Sequence, residues 1–417
     1  MTPIFALTAV VLATFLSAAR AADEWPQFRG PTGQGLSDAK GLPLTWSETE
    51  NITWKTALPG AGHSSPVVSG NRIWLTNSPD KGKTRHVLCL DFATGAITRD
   101  LPLFTCETPE PCHAMNSYAT PTPVLEGSRV YVTLGAPGTA CLDAETGNTI
   151  WERRDLPVKY FDVGPASSPI LHRDALILTC DGQANDQQFV IALDKNTGKT
   201  LWRTERRYLD DKLPQKTHSS CVPLVINVAG KDQLVSPGGH GVRAYDPETG
   251  QELWVARYGG WSVVPRPVYA DGMLFICSGT VKSTILGIRP EGASGEITDT
   301  PAVVWKTDKN VPTMPSPLLV GNRLYTLTAT TLSCLKPATG EVLWANTIPG
   351  QHLASPVAAD GRIYLFNTSG GGAVVALSDT FRLLATNRLE SGCSASPAVV
   401  GKSLLVRTTS HLYRIEK

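Results

Sequence analysis

The sequence predicts an all-β fold, an eight-bladed β-propeller, and three observations lead to it. A turn unit ending in Thr-Gly, with Trp four residues after the Gly, recurs at 141–151 (C-L-D-A-E-T-G-N-T-I-W), 193–202, 245–254 and, without its Asp, 335–344. A Ser- or Pro-rich approach to an apolar run occurs eight times. The last repeat stops one strand short, and an unattached strand at 52–58 is of the kind it lacks.

Each element has a physical reason. Gly147, Gly198, Gly250 and Gly340 supply the positive φ that a tight antiparallel connection often needs. Trp151, Trp202, Trp254 and Trp344 follow at a fixed height on the outgoing strand. A lone hairpin cannot bury an indole, so each must pack on a neighbouring copy, which is the logic of a repeat array. The eight approaches stand at 64–66, 121–123, 167–169, 219–223, 265–267, 315–317, 354–356 and 395–397. Proline is tolerated at a strand's first position because no ladder donor is needed there. The repeat therefore reads as four short strands, a propeller blade. Trp54, on the strand at 52–58, completes the last blade and closes the ring without open edges. Two copies are degenerate: 93–95 keeps Thr-Gly but has Arg99 in place of Trp, and 378–381 loses both Gly and Trp.

Residues 4–16 are apolar or small and too few to span a bilayer comfortably, and Ala19-Arg20-Ala21 suits a signal cleavage site. Residues 1–21 are thus expected to be a secretory signal, 22–50 an irregular wrap around the outside or base with Trp25 and Phe28 tucked in, and 51–417 the propeller. The expected mature chain is exported, periplasmic or secreted, monomeric and without a transmembrane segment. Lys+Arg of 38 against Asp+Glu of 37 gives no electrostatic footprint for nucleic acid. Of nine cysteines, Cys106 and Cys112 lie close together in a Pro-rich connection and are expected to form a disulfide. Cys89, Cys141, Cys180, Cys277 and Cys334 sit at strand positions that suit small buried hydrophobes.

The turn units resemble the pyrroloquinoline quinone (PQQ) repeat, A-x-D-x-x-T-G-x-x-x-W, whose members build eight-bladed propellers. The resemblance runs from about Trp25 to the C-terminus, and the W-P-Q-F-R-G opening is similar to that of exported PQQ-binding-like propellers. More distantly, the chain resembles the propeller lipoprotein of outer-membrane barrel assembly and the quinoprotein alcohol dehydrogenases. The enzymes of that group imply PQQ, a calcium ion with oxygen ligands, a carboxylate base, and a clamp made by a disulfide between adjacent cysteines. This sequence has no adjacent cysteines, and Asp91, Asp143, Asp194 and Asp246 are placed to bond their own turns. No metal site or cofactor is expected, PQQ with calcium entering only under an oxidoreductase reading.

Function is therefore sought where the repeat is broken. His63, His218 and His352 precede inner-strand approaches, and the long connection at 100–118 carries His113, Asn116 and Tyr118. Arg266 stands between two prolines where other copies have Ser, with Trp261 just upstream. His63, His113, Asn116, Tyr118, His218, Trp261 and Arg266 form the candidate ligand site at the channel mouth. The expected function is a non-catalytic envelope scaffold binding a protein, peptide or envelope polymer. The alternatives are a divergent PQQ-dependent oxidoreductase and an outer-membrane barrel-assembly factor.

Overall fold

The computed structural model describes residues 24–156, 158, 160, 162–182, 187–206 and 218–417. The segment read as a secretory signal, 1–21, lies outside the described residues. Among those described there is no α-helix, and the strands form eight sheets around one axis. Blade 1 is β2 (Val67–Ser69), β3 (Arg72–Asn77), β4 (Thr84–Asp91) and β5 (Ile97–Thr105), ordered from hub to rim. Blades 2 to 7 repeat that meander. In blade 8, β31 (Ala398–Val400), β32 (Ser403–Arg407) and β33 (His411–Ile415) are completed by β1 (Ile52–Ala57), as the sequence predicts. β1 runs antiparallel to β33, from Ile52 opposite Ile415 to Ala57 opposite His411.

All eight innermost strands begin one residue after a proline: Pro66, Pro123, Pro169, Pro223, Pro267, Pro317, Pro356 and Pro397. Proline ends the irregular approach, and the first residue with an N–H opens the ladder. The middle strands are covered on both faces by neighbouring blades, so β32 is buried throughout, whereas β1 at the rim alternates half-buried and exposed residues.

At the rim the Trp and Gly of the repeat meet across blades. The indole N–H of Trp151 donates to Lys195 O at 2.9 Å, that of Trp202 to Pro247 O at 3.0 Å and that of Trp54 to Phe92 O at 3.0 Å. Each acceptor lies in the turn of the next blade. The turn glycine leaves room for the ring: a Cβ on Gly198 would lie 2.7 Å from Trp151. Where blade 1 lacks Trp, Arg99 donates to Glu145 O in the blade 2 turn. In blade 7 Phe381 meets Trp344 edge-on at 5.4 Å.

Blade 4 departs from this pattern. A short strand, β21 (Gly295–Glu296), adds in parallel to its outer strand β17 (Glu252–Arg257). Trp254 is thereby fully covered, and its N–H turns to Gln233 Oε1 in its own blade at 2.8 Å. The excursion that makes β21 also rewrites the blade 5 turn, which hid a further repeat tryptophan: Trp305 donates to Pro337 O at 2.7 Å.

The repeat aspartates cap their turns. Asp143 Oδ1 accepts from the Thr146 N–H at 2.7 Å and its hydroxyl at 2.8 Å, and Asp194 does the same with Thr197, both at 2.8 Å. The expected Cys106–Cys112 disulfide is absent, both residues being free thiols. The Cys112 Sγ faces Val163 O at 3.8 Å and His113 O at 3.9 Å instead. Cys89, Cys141, Cys180, Cys277 and Cys334 are buried, and burial pushes the Cys141 thiol up to about 12.

Candidate functional site

The loops that precede the inner strands surround a funnel of about 380 Å³ on the propeller axis. Its wall is held by a belt of hydroxyls that follows from the Ser/Thr-Pro pattern. The Ser65 N–H donates to Thr122 Oγ1 at 2.9 Å, and the Thr122 N–H to Ser168 Oγ at 2.9 Å. On the opposite arc Arg266 N–H donates to Ser316 Oγ at 3.0 Å, Ser316 N–H to Ser355 Oγ at 2.9 Å, and Ser355 N–H to Ser396 Oγ at 2.9 Å. Five of the eight approaches thus supply the acceptor for a neighbour's backbone, and the same hydroxyl groups line the cavity.

The N-terminal segment closes the far end. Trp25 pairs with Val68, Pro26 O accepts from Leu125 N–H at 2.8 Å, and Phe28 O from Arg266 Nη1 at 2.9 Å. Farther along, Arg29 Nη2 donates to Pro317 O at 2.7 Å, and Gly35 O accepts from Ala358 N–H at 2.8 Å. Residues 25–35 therefore cross the hub, touching the inner strands or approaches of blades 1, 2, 5, 6 and 7. Phe28 forms part of the funnel lining, so the channel is a blind cavity. This segment has no secondary-structure period, which is why the sequence gives its presence but not its path.

Five of the seven candidate residues line the funnel: His63, His113, Asn116, His218 and Trp261. His218 meets the Trp261 ring edge-on, centroids 5.4 Å apart. Burial, assisted by the Arg407 guanidinium, pushes the His63 imidazole down to about 4. Burial also lowers His218, against the pull of Asp162. Asn116 staples the insertion to the next connection, donating to Val163 O at 2.6 Å and Pro165 O at 3.2 Å.

The other two candidates lie elsewhere. Tyr118 borders a separate cavity of about 170 Å³, with its ring 4.5 Å from the Arg85 guanidinium and its hydroxyl donating to Glu110 O at 2.5 Å. Arg266 is not at the mouth: it is buried beneath the wall, held by Phe28 O. Its side chain is drawn inward because the glycine-rich N-terminal segment packs on it; a Cβ on Gly33 would lie 2.2 Å from Nη1. His352 is likewise off the funnel, with Nδ1 at 3.1 Å from Ala329 O and its basicity lowered by burial. Sequence reasoning passed over Phe28, the belt hydroxyls, Met115 and Met314 as lining residues; the Ser/Thr-Pro recurrence already carried the belt's signal. Among the described lining residues Asp162 is the single carboxylate, and no Lys or Arg side chain lines the cavity.

The model of the family described as outer membrane protein assembly factor BamB matches residues 37–154, 108–287 and 295–411. The chain belongs to the BamB family. Among solved structures it is similar to BamB from Moraxella catarrhalis, at 12% identity and a TM-score of 0.61, covering 87% of this chain and 99% of that one. It is also similar to the quinohemoprotein alcohol dehydrogenase of Comamonas testosteroni, at 10% identity and a TM-score of 0.56, covering 95% of this chain and 81% of that one. Both likenesses establish the propeller fold. A tetrathionate hydrolase of Acidithiobacillus ferrooxidans is 24% identical over 349 residues, 77% of this chain. The chain spans 66% of that relative's length. Among the described residues no helix of this BamB-family protein is long and apolar enough to cross a membrane.

Proposed function

We propose that this BamB-family protein is a non-catalytic binding propeller of the cell envelope, whose blind funnel takes in part of a protein, peptide or envelope polymer. The observation that carries the reading is the lining itself: belt hydroxyls, imidazoles and aromatic rings around one carboxylate, Asp162. A pocket of apolar walls with convergent polar groups is the general form of a binding site. The calcium-and-quinone centre implied by the dehydrogenase resemblance does not fit this donor set. Calcium takes six to eight oxygens, carboxylates prominent among them, and Asp162 is exposed with no second carboxylate beside it in the described lining.

Two measurements test the reading. Purified protein given PQQ and Ca²⁺ is expected to show no dye-linked oxidation of alcohols or sugars; turnover there sinks the non-catalytic assignment. A photo-cross-linking side chain at Met115, 45% exposed and on the funnel wall, is expected to attach to a discrete envelope partner, and its failure to do so counts against binding. Membership of the BamB family favours outer-membrane barrel assembly as a second reading. Under it the cross-linked partner is a barrel protein or its assembly machinery.

A further inference from the structure

The hub holds a charge imbalance. Arg29, Arg266 and Arg407 are each 2% exposed, and every hydrogen bond they make goes to a neutral oxygen. Arg29 donates to Gln34 O and Pro317 O, Arg266 to Phe28 O, and Arg407 to Ser64, Thr76 O and Asn77 Oδ1. Carbonyl oxygens satisfy N–H donors but leave the charge. Arg206 marks the contrast: equally buried, it holds both oxygens of Asp181 at 3.1 and 2.8 Å. Burial lowers Arg29 to about 9, Arg266 to about 10 and Arg407 to about 9, so all three stay protonated at neutral pH. Uncompensated buried charge is costly, and proteins that retain it generally pair it.

All three lie directly behind the funnel. Arg29 follows Phe28, the Arg266 guanidinium holds the Phe28 carbonyl while its backbone N–H donates to the Ser316 hydroxyl, and Arg407 grips Ser64 between His63 and Ser65. In front of them stand the belt hydroxyls. Thr122, Ser168, Ser316 and Ser396 each accept a backbone N–H from a neighbouring blade, which leaves each O–H proton to be donated. A ring of donors backed by cations, with the one described carboxylate out at an exposed position, is the arrangement that stabilises a negatively charged oxygen group.

We infer that the base of the funnel is an oxyanion site, taking the carboxylate of a ligand whose apolar body lies against Trp261, Met115, Met314 and Leu353. The inference rests on the funnel being the protein's binding site. The carboxylate belongs either to a free organic acid or to the C-terminus of a peptide, and the shared chemistry is a carboxylate on an apolar stem.

The test compares charged and uncharged forms of one probe. The full chain is titrated by calorimetry with 3-phenylpropionate and with 3-phenylpropionamide, while the His63 imidazole is followed by NMR. The acid is expected to bind at least about tenfold more tightly, a difference of about 1.4 kcal/mol, and to raise the His63 pKa above its free value of about 4. Arg407→Gln is expected to abolish the preference, whereas Arg154→Gln, on the exposed surface beside Glu152, keeps it. Should Arg407→Gln fail to fold, the wild-type comparison still decides. A tetrapeptide with a free C-terminus, set against its amidated form, separates the sources: tighter binding than the small acid assigns a chain terminus, weaker binding a free acid. Equal affinity for acid and amide overturns the oxyanion site while leaving the binding reading intact. No binding of either probe overturns it too, and the binding reading is then judged by its own cross-linking result.

Discussion

The rim and the hub of this propeller solve the same problem, holding one blade to the next, with different chemistry. At the rim an indole from one blade lies on the turn glycine of its neighbour and donates to the turn's carbonyl, as in Trp54, Trp151, Trp202 and Trp305. At the hub a backbone N–H donates to the neighbour's hydroxyl. The rim contact tolerates replacement, since Arg99 reaches the blade 2 turn without an indole, at the carbonyl one residue further along, that of Glu145. The hub contact is small and leaves space in front of it. That difference assigns the roles: the rim carries registration, and the hub, freed from bulky packing, carries the cavity in which single-use residues collect.

The sharpest way to break the comparison is at the rim's one deeply buried copy. Trp254 is fully covered under β21, while Trp344 is only partly buried, so Trp254→Ala is expected to cost about 3–5 kcal/mol. Trp344→Ala should cost less, because less surface leaves water there. Denaturant unfolding of the two variants measures the gap. Equal losses would mean that burial does not set the rim's contribution, since Trp254 bonds within its own blade and Trp344 bonds across to Ser378 O.

The same contrast explains what was legible in the sequence. Turn units and proline-led strands are local: Asp143 caps Thr146 three residues away, and Pro66 fixes where β2 begins, so the chain order alone gives eight blades and the closing role of β1. Trp305 was hidden because the excursion through Gly295–Glu296 rewrites its turn. His63, His218 and Trp261 were found as funnel residues because the approaches to inner strands must converge on the axis, and His113 and Asn116 because they lie on the long connection at 100–118. The floor was not legible, because it depends on pairs such as Phe28 and Arg266, which are 238 positions apart with no shared pattern. Arg266 was singled out correctly as odd, yet its direction was set by a segment whose path the sequence does not encode locally.

At the hub, the intermediate effect is expected from the belt. Ser355→Ala removes the acceptor for the buried Ser316 N–H. An unsatisfied buried donor costs about 1–3 kcal/mol. Amide hydrogen exchange should accelerate at Ser316. The rim counterpart is Thr146→Ala, which loses an exposed turn hydroxyl and is expected to cost well under half as much, since water replaces the bond. Comparable losses at the two positions would show that the belt is not the structural element the hydrogen-bond pattern describes.

The smallest effect separates the hub by its response to acid. His63 is neutral in the folded protein down to about pH 4, held there by burial and by the Arg407 charge. In the unfolded chain an imidazole titrates near 6.5. Between those values the unfolded state binds a proton that the folded state refuses, so stability falls as pH drops through that window. The slope from this one residue approaches about 1 kcal/mol per pH unit. His63→Gln is expected to flatten the dependence between pH 6 and pH 5 without changing stability much at pH 7.5. Some slope remains, because burial also lowers His218. At the rim the turn aspartates Asp143 and Asp194 behave differently, being held below the usual carboxylate range by their capping bonds, with effects confined to more acidic solution. An unaltered slope in His63→Gln, measured by unfolding at the three pH values, would place the acid sensitivity at groups other than His63 and remove the electrostatic link between His63 and Arg407.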